Sequence, residues 1–176
     1  VLERKPLSLS LTGELIMCHD QTRVGLTANT FGQGGSERYS SSNKLDDALR
    51  ARPGWLTVKY PEPSVLRNIM AKKFSMIPAG FRKKMCQVAL EVQKVTENED
   101  SELSAIFSTR TLVKWGQTMV AFGLSAKVEE SLDFVSRGAC DPDDWESLQA
   151  IYQRILGEDK GSTVGDVLKK YTPVKK

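Results

Sequence analysis

The chain has 176 residues, 40% of them hydrophobic and 27% charged, with a formal net charge of +3. That size suits one domain, or one small domain with part of another. The charge balance gives no argument for nucleic acid, and no stretch reaches the apolar length of a membrane span.

Cys18, Cys86 and Cys140 lie far apart, and His19 is the single histidine. The spacing for a structural zinc site or a Cys–His pair is therefore missing. An odd cysteine count fits a reducing compartment, so a cytoplasmic location is expected. The N-terminus does not read as a signal peptide. A chain that opens on Val1 reads as a piece of something longer.

Taken in order, Val1–Leu2 read as the end of a helix. Leu7-Ser8-Leu9-Ser10-Leu11 alternates with period two, Thr12-Gly13 turns, and Glu14 to Cys18 returns. This predicts a β-hairpin. Arg23 to Thr30 reads as a buried strand of a parallel sheet that delivers Asn29 at its carboxyl end. Ligands of open α/β sheets sit beyond the carboxyl ends of strands, so Asn29 is a candidate ligand contact. The alternative is that Asn29 only ends the strand and begins a turn.

Residues 31–44 are dense in Gly and Ser and read as a surface loop. They lack the G-x-x-x-x-G-K-[ST] of a phosphate-binding loop. Leu45 to Arg50 predicts a short helix, broken at Arg52-Pro53-Gly54. Trp55 to Tyr60 reads as a further strand, rich in aromatic and β-branched residues, ended by Pro61 and Pro63.

From residue 62 the pattern is helical. Pro63 suits a first helical position, and Val65, Leu66, Ile69, Met70 and Phe74 follow as a stripe. Phe81, Met85, Val88, Ala89, Val92 and Val95 line a second helix. Ser108 is placed to cap a helix that buries Leu112, Trp115, Met119 and Val120. A short helix surrounds Leu132 to Val135. Asp141-Pro142 opens another, with Trp145, Leu148, Ile151, Tyr152 and Ile155 on one face. Trp55, Trp115 and Trp145 are expected in a core.

The expected organisation is thus strands over residues 1–61, a helical unit over 62–157, and a weakly structured basic tail over 158–176. Within that tail, one helical turn is expected near Val164 to Leu168. Two lone strands do not make a doubly wound sheet. The N-terminal part needs strands that the chain lacks, or it borrows them from a neighbour.

The segment Thr27-Ala28-Asn29-Thr30, Gly32, Gly34, Tyr39, Asn43, Leu45, Ala48, Arg52, Gly54-Trp55, Tyr60-Pro61 resembles part of an AAA+ ATPase of the MoxR type. That branch includes the small ATPase subunit of aerobic cobaltochelatase and its phage relatives. The likeness runs from Val1 to about Leu156 and covers the second half of such a protein. It implies an incomplete P-loop NTPase fold: a core remnant of a β-hairpin plus two strands of a parallel sheet, followed by an all-α lid. By the same likeness Asn29 is sensor 1, Arg52 the trans-acting arginine finger with Arg50 as second candidate, and Arg110, in Phe107-Ser108-Thr109-Arg110-Thr111-Leu112, sensor 2.

The implied cofactors are ATP and Mg2+, whose main ligands lie outside this chain. Neither a Walker A motif nor a Walker B strand ending in Asp-Glu occurs in it. The family's Asp-Arg-Phe is Ala51-Arg52-Pro53 here. The implied partners are copies of the chain in a ring, a hexamer being one option, and a client that is a chelatase or a von Willebrand-type protein. A competing expectation is a non-catalytic interaction module, a degenerate remnant of the fold. Nucleic-acid binding through Lys169, Lys170, Lys175 and Lys176 ranks low, since no aromatic residues are interleaved.

Overall fold

The computed structural model describes residues 5–28, 43–97, 103 and 107–172. The chain divides into two compact units, Val1–Val58 and Lys59–Lys176. The described residues are mostly helical, with one two-stranded antiparallel sheet.

In the first unit, β1 (Leu7–Ser8) pairs with β2 (Leu15–Ile16), with Leu7 opposite Ile16 and Ser8 opposite Leu15. The turn is closed by Leu9, whose carbonyl accepts from Gly13 N at 2.8 Å and whose amide donates to Glu14 O at 2.9 Å. Gly13 sits at φ 73°, the left-handed region that a side chain disfavours, which is why the turn uses glycine. The hairpin forms where alternation predicts it, with strands shorter than the alternating runs.

Among the described residues, the two further strands are not formed. Residues 23–28 and 54–60 carry no ladder hydrogen bonds. Their apolar side chains face solvent, Leu26 at 63% and Leu56 at 86% exposure. A strand is stabilised by partners that take its amides and carbonyls, and by a layer that covers its face. Without a ladder partner among the described residues, β-propensity alone leaves these segments irregular. The expected core remnant thus reduces, among the described residues, to the hairpin and the short helix α1 (Asp47–Arg50).

The second unit carries six helices among its described residues: α2 (Pro63–Lys73), α3 (Ala79–Glu97), α4 (Thr109–Phe122), α5 (Val128–Ser136), α6 (Pro142–Leu156) and α7 (Val164–Tyr171). Tight 3-10 turns follow α5 and α6. Apolar residues recur every three or four positions, and the stripes they form meet in one core. Its centre is Trp115, fully buried. Phe81 and Phe107 meet its ring edge-on at centroid distances of 6.4 and 6.5 Å, and Tyr152 meets Phe107 at 6.4 Å. The indole N–H donates to Ser131 Oγ at 3.0 Å, so the buried polar edge is satisfied.

Glycine permits close approach at two helical positions: a Cβ on Gly116 would lie 2.7 Å from the Phe74 ring, and one on Gly80 2.6 Å from the Tyr171 ring. Three positions expected on apolar faces or in the core stand outside. Val65 is 44% exposed, Val120 49%, and Trp55, in the first unit, 43%.

The 158–176 stretch, expected to be a weakly structured basic tail, is ordered over its described part. The segments leading into α5 and α7 pair antiparallel. Val128 N donates to Ser162 O, and Val164 N and Gly165 N donate to Ala126 O and Leu124 O at 2.8 and 2.9 Å. Val164 and Val167 are buried. Asp159, 1% exposed, accepts from Lys84 Nζ of α3 and from Lys170 Nζ and Tyr171 Oη of α7, each at 2.6 Å. One carboxylate therefore ties the turn after α6 to two helices. No helix among the described residues is long and apolar enough to cross a membrane.

Candidate functional site

In the first unit, the chemistry sits on α1 and the turn behind it. Asp46 caps α1, its Oδ1 accepting from Ala48 N at 2.7 Å. Arg50 lies in the last turn, where a cation complements the helix dipole. Its Nη1 donates to Asp47 Oδ1 at 3.2 Å, while its Nε is buried with no partner among the described residues. The chain then turns through Ala51 to Gly54, and the Trp55 indole N–H donates back to Arg50 O at 3.0 Å. Arg52 stands on that turn with an exposed side chain. Of the two finger candidates, Arg50 is folded against its own helix and Arg52 is exposed on the turn that follows. Asn29 lies outside the described residues.

In the second unit, Arg110 occupies the second position of α4. Ser108 is the N-cap expected from the sequence, and its Oγ accepts from Thr111 N at 3.3 Å. Two anchors fix this end of the helix. The Phe107 side chain lies in the aromatic core, and its carbonyl accepts from Gln93 Nε2 at 2.8 Å. Gln93 is itself buried. Arg110 is thus an exposed guanidinium on a rigid first turn. It makes no ion pair among the described residues, and it sits where the helix dipole disfavours a cation. Amides at a helix start and a guanidinium fork both suit phosphate oxygens.

Gln93 also lines a groove of about 440 Å³ with Tyr60, Pro61, Leu90 and Lys94. The groove and the first turn of α4 therefore share one side chain. Sequence reading missed Gln93; the signal was a polar residue within the apolar α3 stripe, next to Val92.

It also missed Asp159. Burial alone would raise this carboxyl, but the hydrogen bonds from Lys170, Lys84 and Tyr171 outweigh it and hold the group at about 2. An acid ionised at every physiological pH is a poor proton shuttle and a good staple.

The residues fit an anion better than a metal. Among the described residues, no group of three His, Cys, Asp or Glu side chains could hold a metal ion. The structure thus places Arg50 and Arg52 on one turn of the first unit and Arg110 on the helical unit. No family model, no curated protein and no solved structure matches the chain.

Proposed function

We propose that the chain is the sensor and lid portion of an AAA+ ring ATPase of the MoxR type, in which ATP hydrolysis remodels a partner protein. The observation that carries this reading is Arg110, an exposed cation on a dipole-disfavoured first turn whose backbone is fixed by the Ser108 cap and by Gln93. A motif-matched arginine held in that way suits the γ-phosphate side of a nucleotide. Arg52, exposed on its short turn, is by its motif the residue for a finger that completes the site of a neighbouring copy. Asn29 would hold the attacking water, using the donor and acceptor of its amide. Phosphoryl transfer needs little more from protein than such positioning and positive charge.

The phosphate grip and the Mg2+ ligands come from outside these residues. The client would be a chelatase or a protein with a von Willebrand-type domain. The chain alone is expected to bind ATP weakly and to show no turnover; steady hydrolysis by the purified chain would overturn the proposal.

In the intact ATPase, Arg110→Ala and Arg52→Ala are each expected to lower kcat by roughly 10²-fold or more, in line with arginine contributions to phosphoryl transfer. A finger acts in trans. Arg52→Ala subunits mixed with subunits that cannot grip phosphate should therefore regain part of the lost turnover, and Arg110→Ala subunits should not.

A second reading, a non-catalytic interaction module, is favoured by the missing Walker motifs and by the exposed ring pair of Phe122 and Phe134, 5.4 Å apart. It predicts that Arg110→Ala leaves ATP affinity unchanged.

A further inference from the structure

From Pro63 to Leu90 the chain carries Arg67, Lys72, Lys73, Arg82, Lys83 and Lys84 and not one acidic residue. The whole chain is nearly balanced, with 25 basic and 22 acidic residues, so the bias is local. The stretch folds as α2, a short connection over residues 74–78, and the first half of α3, and α2 packs on α3.

Two of these cations are committed. Arg82 closes the connection by donating to Phe74 O and Ile77 O at 2.9 and 2.8 Å, and Lys84 pairs with buried Asp159. Arg67, Lys72, Lys73 and Lys83 are exposed. Among the described residues of the helical unit, the ion pairs are Lys84–Asp159, Lys170–Asp159, Lys127–Glu129 and Arg154–Glu91, and none involves those four. Lys72 and Lys73 end α2, where the helix dipole favours a cation. Arg67 and Lys83 stand inside their helices and lack even that reason. Burial pushes the Cys86 thiol of α3 up, and the charges of Arg67 and Arg82 work against that rise, so both guanidinium groups lie along the seam between the two helices. Like charges gathered in this way repel one another until an anionic partner neutralises them.

The surroundings select among anionic partners. Of the large apolar side chains in the stretch, Val65 and Met76 alone are exposed, and the aromatic residues Phe74 and Phe81 are buried. A membrane surface needs a broad apolar face to insert. Single-stranded nucleic acid needs exposed rings on which its bases stack. A protein interface needs a buried centre poor in lysine. Duplex DNA needs none of these. It is held chiefly through its phosphates by Lys and Arg, with Ser, Asn and Gln as further donors. Ser64, Asn68, Ser75 and Gln87 are exposed in the same stretch. Ala79, Lys83 and Gln87 recur every four residues, hence along one face of α3, and all three are exposed. Such a face fits the major groove of B-form DNA, about 12 Å wide, and not the narrow major groove of duplex RNA.

We infer that the α2–α3 pair binds duplex DNA: Arg67, Lys72, Lys73 and Lys83 hold its phosphates, and the start of α3 faces its major groove. The binding is electrostatic and independent of base sequence. It uses neither nucleotide nor the arginines of the preceding proposal, so either can fail alone.

The test is fluorescence anisotropy of a short labelled DNA duplex titrated with the whole chain at several salt concentrations. Four phosphate contacts give log K against log salt a slope of roughly −3.6, so affinity should fall about 10²-fold between about 50 and about 200 mM salt. R67Q/K83Q and K72Q/K73Q each remove two contacts. Each should about halve that slope and weaken binding at the lower salt at least about tenfold, while keeping the wild-type circular dichroism and melting temperature. Either pair decides the matter if the other disturbs the fold. K114Q/K127Q, elsewhere on the helical unit, should change neither slope nor affinity. Failure to bind the duplex at the lower salt overturns the inference. So does a slope that the α2–α3 variants leave intact, or an equal loss in K114Q/K127Q. Tighter binding to the matching RNA duplex, to either single strand, to phosphatidylserine vesicles or to polyglutamate overturns it as well.

Discussion

Tyr152 carries a hydroxyl that the core does not use. The residue is fully buried and its oxygen makes no well-formed hydrogen bond among the described residues; the nearby Ser136 hydroxyl donates to Leu132 O at 2.6 Å. Burial accordingly pushes the phenol well above its usual range. An unpaired buried hydroxyl costs about 1–3 kcal/mol. Tyr152→Phe should therefore leave stability unchanged or raise it by up to about 1 kcal/mol, read as the midpoint of urea unfolding.

Gly116 makes the opposite case. A methyl group there would enter the Phe74 ring, so Gly116→Ala should cost about 1–3 kcal/mol despite the better helix propensity of alanine. In a Phe74→Leu background most of that penalty should disappear. Neither residue's situation is legible in a sequence, since both depend on what packs opposite. Spacing did locate the stripe residues Leu66, Met70, Phe81, Met85, Leu112 and Trp115, all buried. It failed at Val120, which period-based reading places in the core but which lies on the outer edge of the α4 stripe.

At the scale of elements, the helices and the hairpin were legible and the two further strands were not. A helix satisfies its own backbone, so a cap such as Ser108 and a periodic stripe suffice to define it. A strand depends on a partner strand that local sequence does not name, and residues 23–28 and 54–60 join no ladder among the described residues. The Ser108 cap also made the place of Arg110 readable. The groove beside Gln93 was not, because it requires residues 59–63 to pass α3.

Helix α7 was underestimated for a related reason. It has only eight residues, and its anchor at Asp159 includes a lysine 75 positions away. The Asp159 carboxyl drops from an ordinary 3.8 to about 2 in the folded state. A lowered acid stabilises the fold above its unfolded value and loses that contribution as pH falls through the folded one. The staple therefore contributes roughly 2 kcal/mol at neutral pH, lost between about pH 4 and pH 2. Asp159→Asn should lower stability by about that amount at pH 7. The gap between variant and wild type should close towards pH 2, followed by urea unfolding across that range.

At the scale of the whole molecule, the two units differ in what holds them. No described residue of the first unit is buried, and its most sheltered side chains, such as Leu45, Leu49 and Arg50, are only half-buried. The second unit has a continuous core running from Leu66 to Val167. Burying a Leu, Val or Phe side chain contributes about 1.5–3 kcal/mol, so the stability of the chain must reside in residues 59–176. A fragment of those residues should fold cooperatively. Its melting temperature should lie within about 4 °C of the whole chain's, the shift that 1 kcal/mol produces in a domain of this size. Amide exchange in the whole chain should agree: slow in the central turns of α3 and α4, fast throughout residues 5–28 and 43–58. A fragment that melts without cooperativity, or slow exchange across residues 23–28, would mean that the first unit contributes a core of its own. The hairpin and α1 would then have to be treated as part of one folding unit with the helices.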